Sequence, residues 1–239
     1  MDNSYWISGI HAVQAALNNK ERDVLEIVVL EENLNKLLNA NKIKISIQNK
    51  KFFNKIFKSE DKNFTHQGVA AKIRPLLKKN LENLLQDNNL NTVVFLDQIN
   101  DPRNIGSIIR NCVAFNIKYL ILENNSVNLK SNVMHKASSG YIENISIIEV
   151  SNINNALIKL KKENFFIYGM DSNAGKELGS VNFVKKKIII LGSEGKGIRK
   201  NVSEKCNQLI KIKMNKETES LNVSNASAII LHHIANLSY

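Results

Sequence analysis

KKKIIILGSEGKGI, running from Lys185 to Ile198, is the stretch that decides the architecture. Three lysines lead into four consecutive apolar residues, Ile188 to Leu191. A loop follows that carries Gly192, Gly195 and Gly197 around the acid Glu194. A short unbroken β-branched run of this kind reads as a strand covered on both faces, which is the habit of parallel sheets. Glycines directly after such a strand let the backbone come close to a flat ligand and offer it N–H donors. The spacing fits neither a P-loop nor the GxGxxG fingerprint. Taken alone, the loop also reads as a plain strand-to-helix turn.

Working outward from that strand, the same rhythm recurs on both sides. Apolar runs at TVVFLDQI, YLILEN, ISIIEV, FFIYGMDS and QLIKIKM read as further strands. Helical periodicity lies between most of them, at NIGSIIRNCVAF, INNALIKLKKE and SLNVSNASAIILHHIANL. Strands alternating with helices predict an α/β layer structure around a parallel sheet. Ligands of such sheets bind beyond the carboxyl ends of the strands. That rule singles out the loops DQINDPRN, GSEGKG and MNKETES.

Upstream, GIHAVQAALNN places Ile10, Val13, Ala16 and Leu17 on one helical face. LEIVVLEE reads as a strand, NLNKLLNAN as a helix, KIKISIQ as an alternating strand, KKFFNKIFKS as a basic aromatic helix and GVAAKIRP as a closing strand. These elements predict a small α/β domain over residues 1–73, a helical linker over 74–90, and a larger domain over 91–239. KKFFNKIFK offers either a stacking and phosphate-binding surface or a helix whose phenylalanines are core.

Composition bounds the partners. Lys and Arg number 33 against 22 Asp and Glu, a net charge of +11, which suggests a polyanion such as nucleic acid. Residues 1–75 carry 12 basic and 8 acidic side chains and the remainder 21 and 14, so the excess is spread over both parts. A Lys-, Asn- and Ile-rich composition is the plainer source of the same charge. Arginine is scarce, with Arg22, Arg74, Arg103, Arg110 and Arg199 the whole set, which suggests geometric roles for those kept. No apolar run reaches the length of a membrane span, and the N-terminus lacks the plan of a secretory signal. With only Cys112 and Cys206, the expectation is a cytoplasmic protein without a disulfide framework. No Cys/His cluster has zinc spacing, so no metal site is expected.

Two more segments matter. In LDQINDPRNIGSIIRNC, Asp101-Pro102 reads as a turn, Asn104 as the cap of a helix, and Arg110 as a side chain nearly two turns along it. In ESLNVSNASAIILHH, Ser220, Asn222 and Ser224 crowd the first turns of a helix with an apolar later face. Each segment by itself also reads as ordinary capping.

In order and spacing, DPRNIGSIIRNC, LGSEGKGI and SLNVSNASAI resemble the three motifs of the SpoU (TrmH-type) family of RNA ribose 2′-O-methyltransferases, within the SPOUT class. The likeness covers roughly residues 91–237. GIHAVQAAL and HQGVAAKI resemble the subgroup with an extra N-terminal RNA-binding domain, which is the 23S rRNA guanosine 2′-O-methyltransferase subgroup. The resemblance implies a C-terminal SPOUT domain with a deep trefoil knot, preceded by a small L30-like RNA-binding domain. It implies S-adenosyl-L-methionine as cofactor, held by Gly192, Ile212 and Leu221 largely through backbone. It carries the catalytic site onto Asn104, Arg110, Glu194, Ser220 and Asn222. Arg110 would activate the hydroxyl or, since a guanidinium stays protonated, clamp a phosphate or developing alkoxide. Glu194 would orient Arg110 or the loop. The implied partners are RNA, most specifically 23S rRNA, and a second copy of the chain, with sites at the subunit interface. The rival readings are a tRNA ribose 2′-O-methyltransferase and an inactive knotted RNA-binding protein. One departure is visible: where the family has Ile-Pro-Met and then a glycine, this chain has Lys213 and Lys216 in the proline and glycine places.

Overall fold

A computed structural model of the 239-residue chain describes residues 3–30, 43–58, 66–215 and 217–237. The helix expected over NLNKLLNAN and the position of Lys216 lie outside the described residues. The chain divides into two compact units, Met1–Leu77 with Asn128–Asn144, and Lys78–Val127 with Ile145–Tyr239. The return of Asn128–Asn144 to the first unit was not foreseen in the sequence.

In the first unit, β1 (Tyr5–Ser8) is followed by α1 (Ile10–Asn18), β2 (Val24–Val29), β3 (Ile45–Ile47), α2 (Lys50–Ile56) and β4 (Val69–Ile73). The sheet order is β1-β4-β2-β3, with β4 antiparallel to β1 and β2, and β3 parallel to β2. Strand periodicity of two sorts the core onto two faces. Ile27, Val29, Val69, Ala71 and Ile73 pack with Ala12, Val13 and Ala16 of α1. Val28 and Ala70 face the other way, onto Phe53 and Phe57. Of the two readings the sequence offers for KKFFNKIFK, Phe53 and Phe57 follow the core one, Phe52 is half-buried against them, and Lys50, Lys51, Lys55 and Lys58 stay exposed.

The returning segment is tied in by buried polar groups. The Arg22 guanidinium forks onto Glu143, with Nε to Oε2 and Nη2 to Oε1 both 2.9 Å, and its Nη1 donates to the Arg74 carbonyl at 2.6 Å. Asn132 Oδ1 accepts from the Ser8 backbone N–H at 2.9 Å, and Tyr5 meets His135 Nε2 at 3.2 Å.

The second unit contains β5 (Thr92–Asp97), α3 (Pro102–Ala114), β6 (Tyr119–Glu123), β7 (Ser146–Val150), α4 (Ile153–Lys162), β8 (Phe166–Met170), β9 (Lys176–Glu177), β10 (Lys187–Gly192), β11 (Gln208–Lys211) and α5 (Val223–Ala235). Its seven strands are all parallel, in the order β7-β6-β5-β10-β8-β11-β9. Every residue of β5 is buried, as its unbroken apolar run requires. β5 and β10 run in register from Lys187 beside Thr92 to Gly192 beside Asp97. Lys187, the last of the three lysines, is buried; its amine reaches the Lys185 carbonyl and Thr92 Oγ1, and burial pulls its pKa down to about 8.

Successive strands step outward from β5 through β6 to β7, whereas β8 and β10 lie on its other side. The sheet thus changes direction between β5 and β10, and open α/β sheets open their binding crevice at such a place. α3 and α5 pack on each other, with Asn111 Nδ2 donating to the Ser224 carbonyl at 2.9 Å and to Ser227 Oγ at 2.8 Å. The start of α3 corrects the expected cap. Asp101 caps it, accepting from the Arg103 N–H at 2.8 Å, and Pro102 takes the first turn. Proline has no N–H to leave unpaired there and its φ suits a helix, so the helix begins early and Asn104 lies inside it.

Candidate active site

Beyond the carboxyl ends of β5 and β10, the loop after Gly192 folds back on itself. The Ser193 N–H donates to the Gly197 carbonyl at 3.1 Å, and the Gly197 N–H returns to the Ser193 carbonyl at 2.9 Å. Gly195 and Gly197 take left-handed φ values of 78° and 67°, which side chains resist. Gly192 is constrained differently. A Cβ there would lie 2.2 Å from the Gly197 carbonyl carbon and 2.4 Å from the Ile198 nitrogen. This refines the sequence reading: the space at Gly192 is taken by the loop's own backbone.

That loop forms one wall of a cavity of about 290 Å³. Leu191, Ile212, Leu221 and Val223 supply apolar surface, while the backbone of 192–198 supplies polar edges. Such a lining suits a flat heteroaromatic ring with hydrogen-bonding edges. Of the residues predicted from sequence, Gly192, Glu194, Ile212, Ser220 and Leu221 all line it. Ser220 precedes α5, because Asn222 is the cap of that helix and accepts from the Ser224 N–H at 2.9 Å.

Asn104 and Asn222 join the same cluster through Glu194. Glu194 Oε1 accepts from Asn104 Nδ2 at 3.2 Å and from Asn222 Nδ2, and it lies 3.5 Å from the Val223 N–H at the start of α5. Asn222 Nδ2 also donates to Asn104 Oδ1 at 3.0 Å. A carboxylate at a helix amino end is favoured by the helix dipole as well as by these bonds. Of the two roles expected for Glu194, this geometry fits holding the loop. Arg110 stands apart from the cavity lining. It is exposed on α3, six residues and about 9 Å along the axis from Asn104.

Sequence reasoning missed two contributions. Met170 at the end of β8 and Asp171, Ser172 and Asn173 after it also line the cavity. Asp171 Oδ1 accepts from the Asn173 N–H at 2.8 Å, which shapes that turn. The carboxyl-end rule applied to FFIYGMDS would have found them. The second is Asp97, fully buried at the end of β5 and bound by Arg199. Asp97 stands at the head of the loop DQINDPRN, but the one sequence signal of its pairing is an arginine in a lysine-rich chain.

Among the described residues no cluster of three or more His, Cys, Asp or Glu could hold a metal, and no helix is long and apolar enough to cross a membrane.

Residues 91–232 match the model of the SpoU rRNA Methylase family, and residues 6–78 match that for RNA 2′-O ribose methyltransferase substrate binding. The 23S rRNA (guanosine-2′-O-)-methyltransferase RlmB of Pasteurella multocida is 31% identical over 239 residues, covering 95% of this chain and 96% of that protein. A Staphylococcus aureus protein assigned to the TrmH family of tRNA/rRNA methyltransferases is 32% identical over 237 residues, covering 95% and 94%. The SpoU methyltransferase AviRb of Streptomyces viridochromogenes, solved with AdoMet, shares the fold at a TM-score of 0.81 and 17% identity, over 98% of this chain and 89% of that one.

Proposed function

The chain belongs to the SpoU rRNA methylase family, and we propose that it methylates the ribose 2′-hydroxyl of a guanosine in large-subunit rRNA. It is an RNA 2′-O-ribose methyltransferase that uses S-adenosylmethionine. The observation that carries the reading is the convergence of three separated segments at one end of the parallel sheet. Asn104, Glu194 and Asn222 hydrogen-bond to one another beside a cavity walled by Gly192, Ile212 and Leu221. The 23S rRNA guanosine as substrate is supported by the name of the Pasteurella relative and by its near full-length coverage.

The cavity fits the cofactor. Its apolar walls suit adenine, and Ser220, Glu219, Asp171 and Lys211 give polar surface for the ribose and amino-acid portions. Bound there, the sulfonium supplies an already activated methyl group, so the protein's task is alignment and charge management. Glu194, fixed by Asn104 and Asn222, holds the cavity wall. Ser220 lies at the cavity edge and binds substrate or cofactor. Arg110, as a planar fork of permanent charge, grips an RNA phosphate or the oxygen that loses its proton.

With the reading go a deep trefoil knot in the C-terminal domain over 91–239, an L30-like front domain over 1–73 joined by a linker over 74–90, and a homodimer with its sites at the subunit interface. The front domain grips RNA by phosphates and 2′-hydroxyls. A cytoplasmic setting is in keeping with two free thiols, Cys112 and Cys206.

The test is transfer of label from tritiated S-adenosylmethionine into unmodified large-subunit rRNA and into tRNA, followed by mapping of the ribose methylation. Label at a guanosine 2′-oxygen in rRNA is expected. Label confined to tRNA would replace the substrate, and no label in either would overturn the activity.

A further inference from the structure

Both ends of the glycine loop meet Asp97, one through the backbone ladder and the other through its buried carboxylate. Gly192, where the loop leaves β10, lies beside Asp97 in the strand ladder. Arg199, where the loop ends, returns to the same Asp97. Its N–H donates to Oδ2 at 2.7 Å and its Nε to Oδ1 at 2.7 Å, and Nη2 lies 2.6 Å from Oδ1. Nη2 also reaches Glu123 Oε2 at 3.1 Å, at the end of β6. The side chain of Asp97 is wholly buried and that of Arg199 is 28% exposed. The residues between, Ser193 to Ile198, wall the cavity, whereas neither Asp97 nor Arg199 lines it.

We propose that Arg199 is a positioning residue for the cofactor cavity: by closing the loop onto Asp97 and Glu123 it sets where Ser193–Ile198 lie, and so the affinity for S-adenosylmethionine, without touching either substrate. The chemistry favours arginine here. Two carboxylates on different strands must be bridged while a main-chain N–H satisfies a third lone pair, and only a planar fork with several donors does this at once. A lysine ammonium would reach one carboxylate and leave the other short of a donor. The inference rests on the assignment of the cavity to S-adenosylmethionine.

The test uses the full chain and the variants Arg199→Gln, Arg199→Lys and Asp97→Asn/Arg199→Gln. Calorimetric titration with S-adenosylmethionine is expected to show at least tenfold weaker binding for Arg199→Gln and an intermediate loss for Arg199→Lys. In steady-state assays KM for S-adenosylmethionine rises in step while KM for RNA stays within twofold. A purely structural defect would lower the active fraction and leave both KM values alone. Arg199→Gln leaves a buried carboxylate without its counter-charge and can fail to fold, so the double variant, which removes both charges, keeps the proposal exposed. A folded double variant with wild-type affinity overturns it, as does a folded Arg199→Gln with wild-type affinity. Amide hydrogen exchange of Gly195 to Gly197 in ligand-free protein is expected to quicken severalfold in the double variant. If the wild-type chain bound no S-adenosylmethionine, the cavity assignment would fail, while unchanged exchange would sink the loop tie itself.

Discussion

Glu194 accepts a hydrogen bond from the side-chain amide of Asn222, so the tip of the glycine loop is fastened to the first residue before α5. Asn104 of α3 donates to the same Glu194 oxygen at 3.2 Å. The carboxylate is the knot of this small network, since both asparagines are donors to it.

Glu194→Ala should therefore free the loop tip and cost more than tenfold in kcat/KM for S-adenosylmethionine, corresponding to about 1.4 kcal/mol or more. Glu194→Gln keeps one carbonyl oxygen for the two amide donors and should stay within a few fold of wild type. Equal losses in the two variants would show that negative charge, and not acceptance of these bonds, is what the position supplies.

Gly192→Ala puts a methyl group where the Gly197 carbonyl carbon lies 2.2 Å away. Backbone, unlike a flexible side chain, cannot move aside without opening the Ser193–Gly197 hydrogen bonds. Cofactor binding should be lost by titration. Gly195→Asn is the contrast: φ is 78°, a Cβ there meets nothing within 4 Å, and asparagine tolerates the left-handed region at a cost of about 1 kcal/mol. Binding should survive in that variant.

These two glycines show where sequence reading reaches and where it stops. The parallel sheet was legible because IIIL and VVFL are unbroken apolar runs, a pattern that survives without knowledge of partners. The cavity was legible because three loops fall at carboxyl ends. Asn104 reads as a cap in sequence but lies inside the helix, because Asp101 and Pro102, three and two residues earlier, are the stronger start signal. The pairing of Asp97 was invisible for another reason. Its partner is 102 residues away, and nothing local distinguishes a strand-end aspartate that receives an arginine from one that meets water. Asn128–Asn144 joined the first unit through the Arg22–Glu143 pair, again a contact that no periodicity encodes.

Arg110 sits on the exposed side of α3, outside the cavity lining. Its removal should spare the cofactor and cripple the reaction. Arg110→Ala is expected to reduce methyl transfer at least a hundredfold while the Kd for S-adenosylmethionine changes less than threefold. Arg110→Lys keeps the charge but loses the fork, so partial activity would favour a charge clamp. A fully active Arg110→Ala would remove the residue from the site.

The first unit should carry its own acid sensitivity. Burial, with Arg22 nearby adding repulsion, pulls the His135 imidazole from 6.5 down to about 3. In the unfolded chain it returns to its ordinary value. Between those limits the unfolded state holds a proton that the folded one refuses, so this histidine's stabilisation is intact above 6.5 and drains away as pH falls toward 3. At pH 5 the loss amounts to about 2 kcal/mol. Trp6, the only tryptophan, packs edge-on to Phe52 at 5.9 Å in the same unit, so its fluorescence reports unfolding there. Urea titrations at pH 7 and pH 5 should show the midpoint falling in the wild type. His135→Gln, which cannot take up the proton, should show a smaller fall even if its midpoint at pH 7 is already lower because the Tyr5 contact is altered. An equal fall in both proteins would mean that other groups carry the pH dependence.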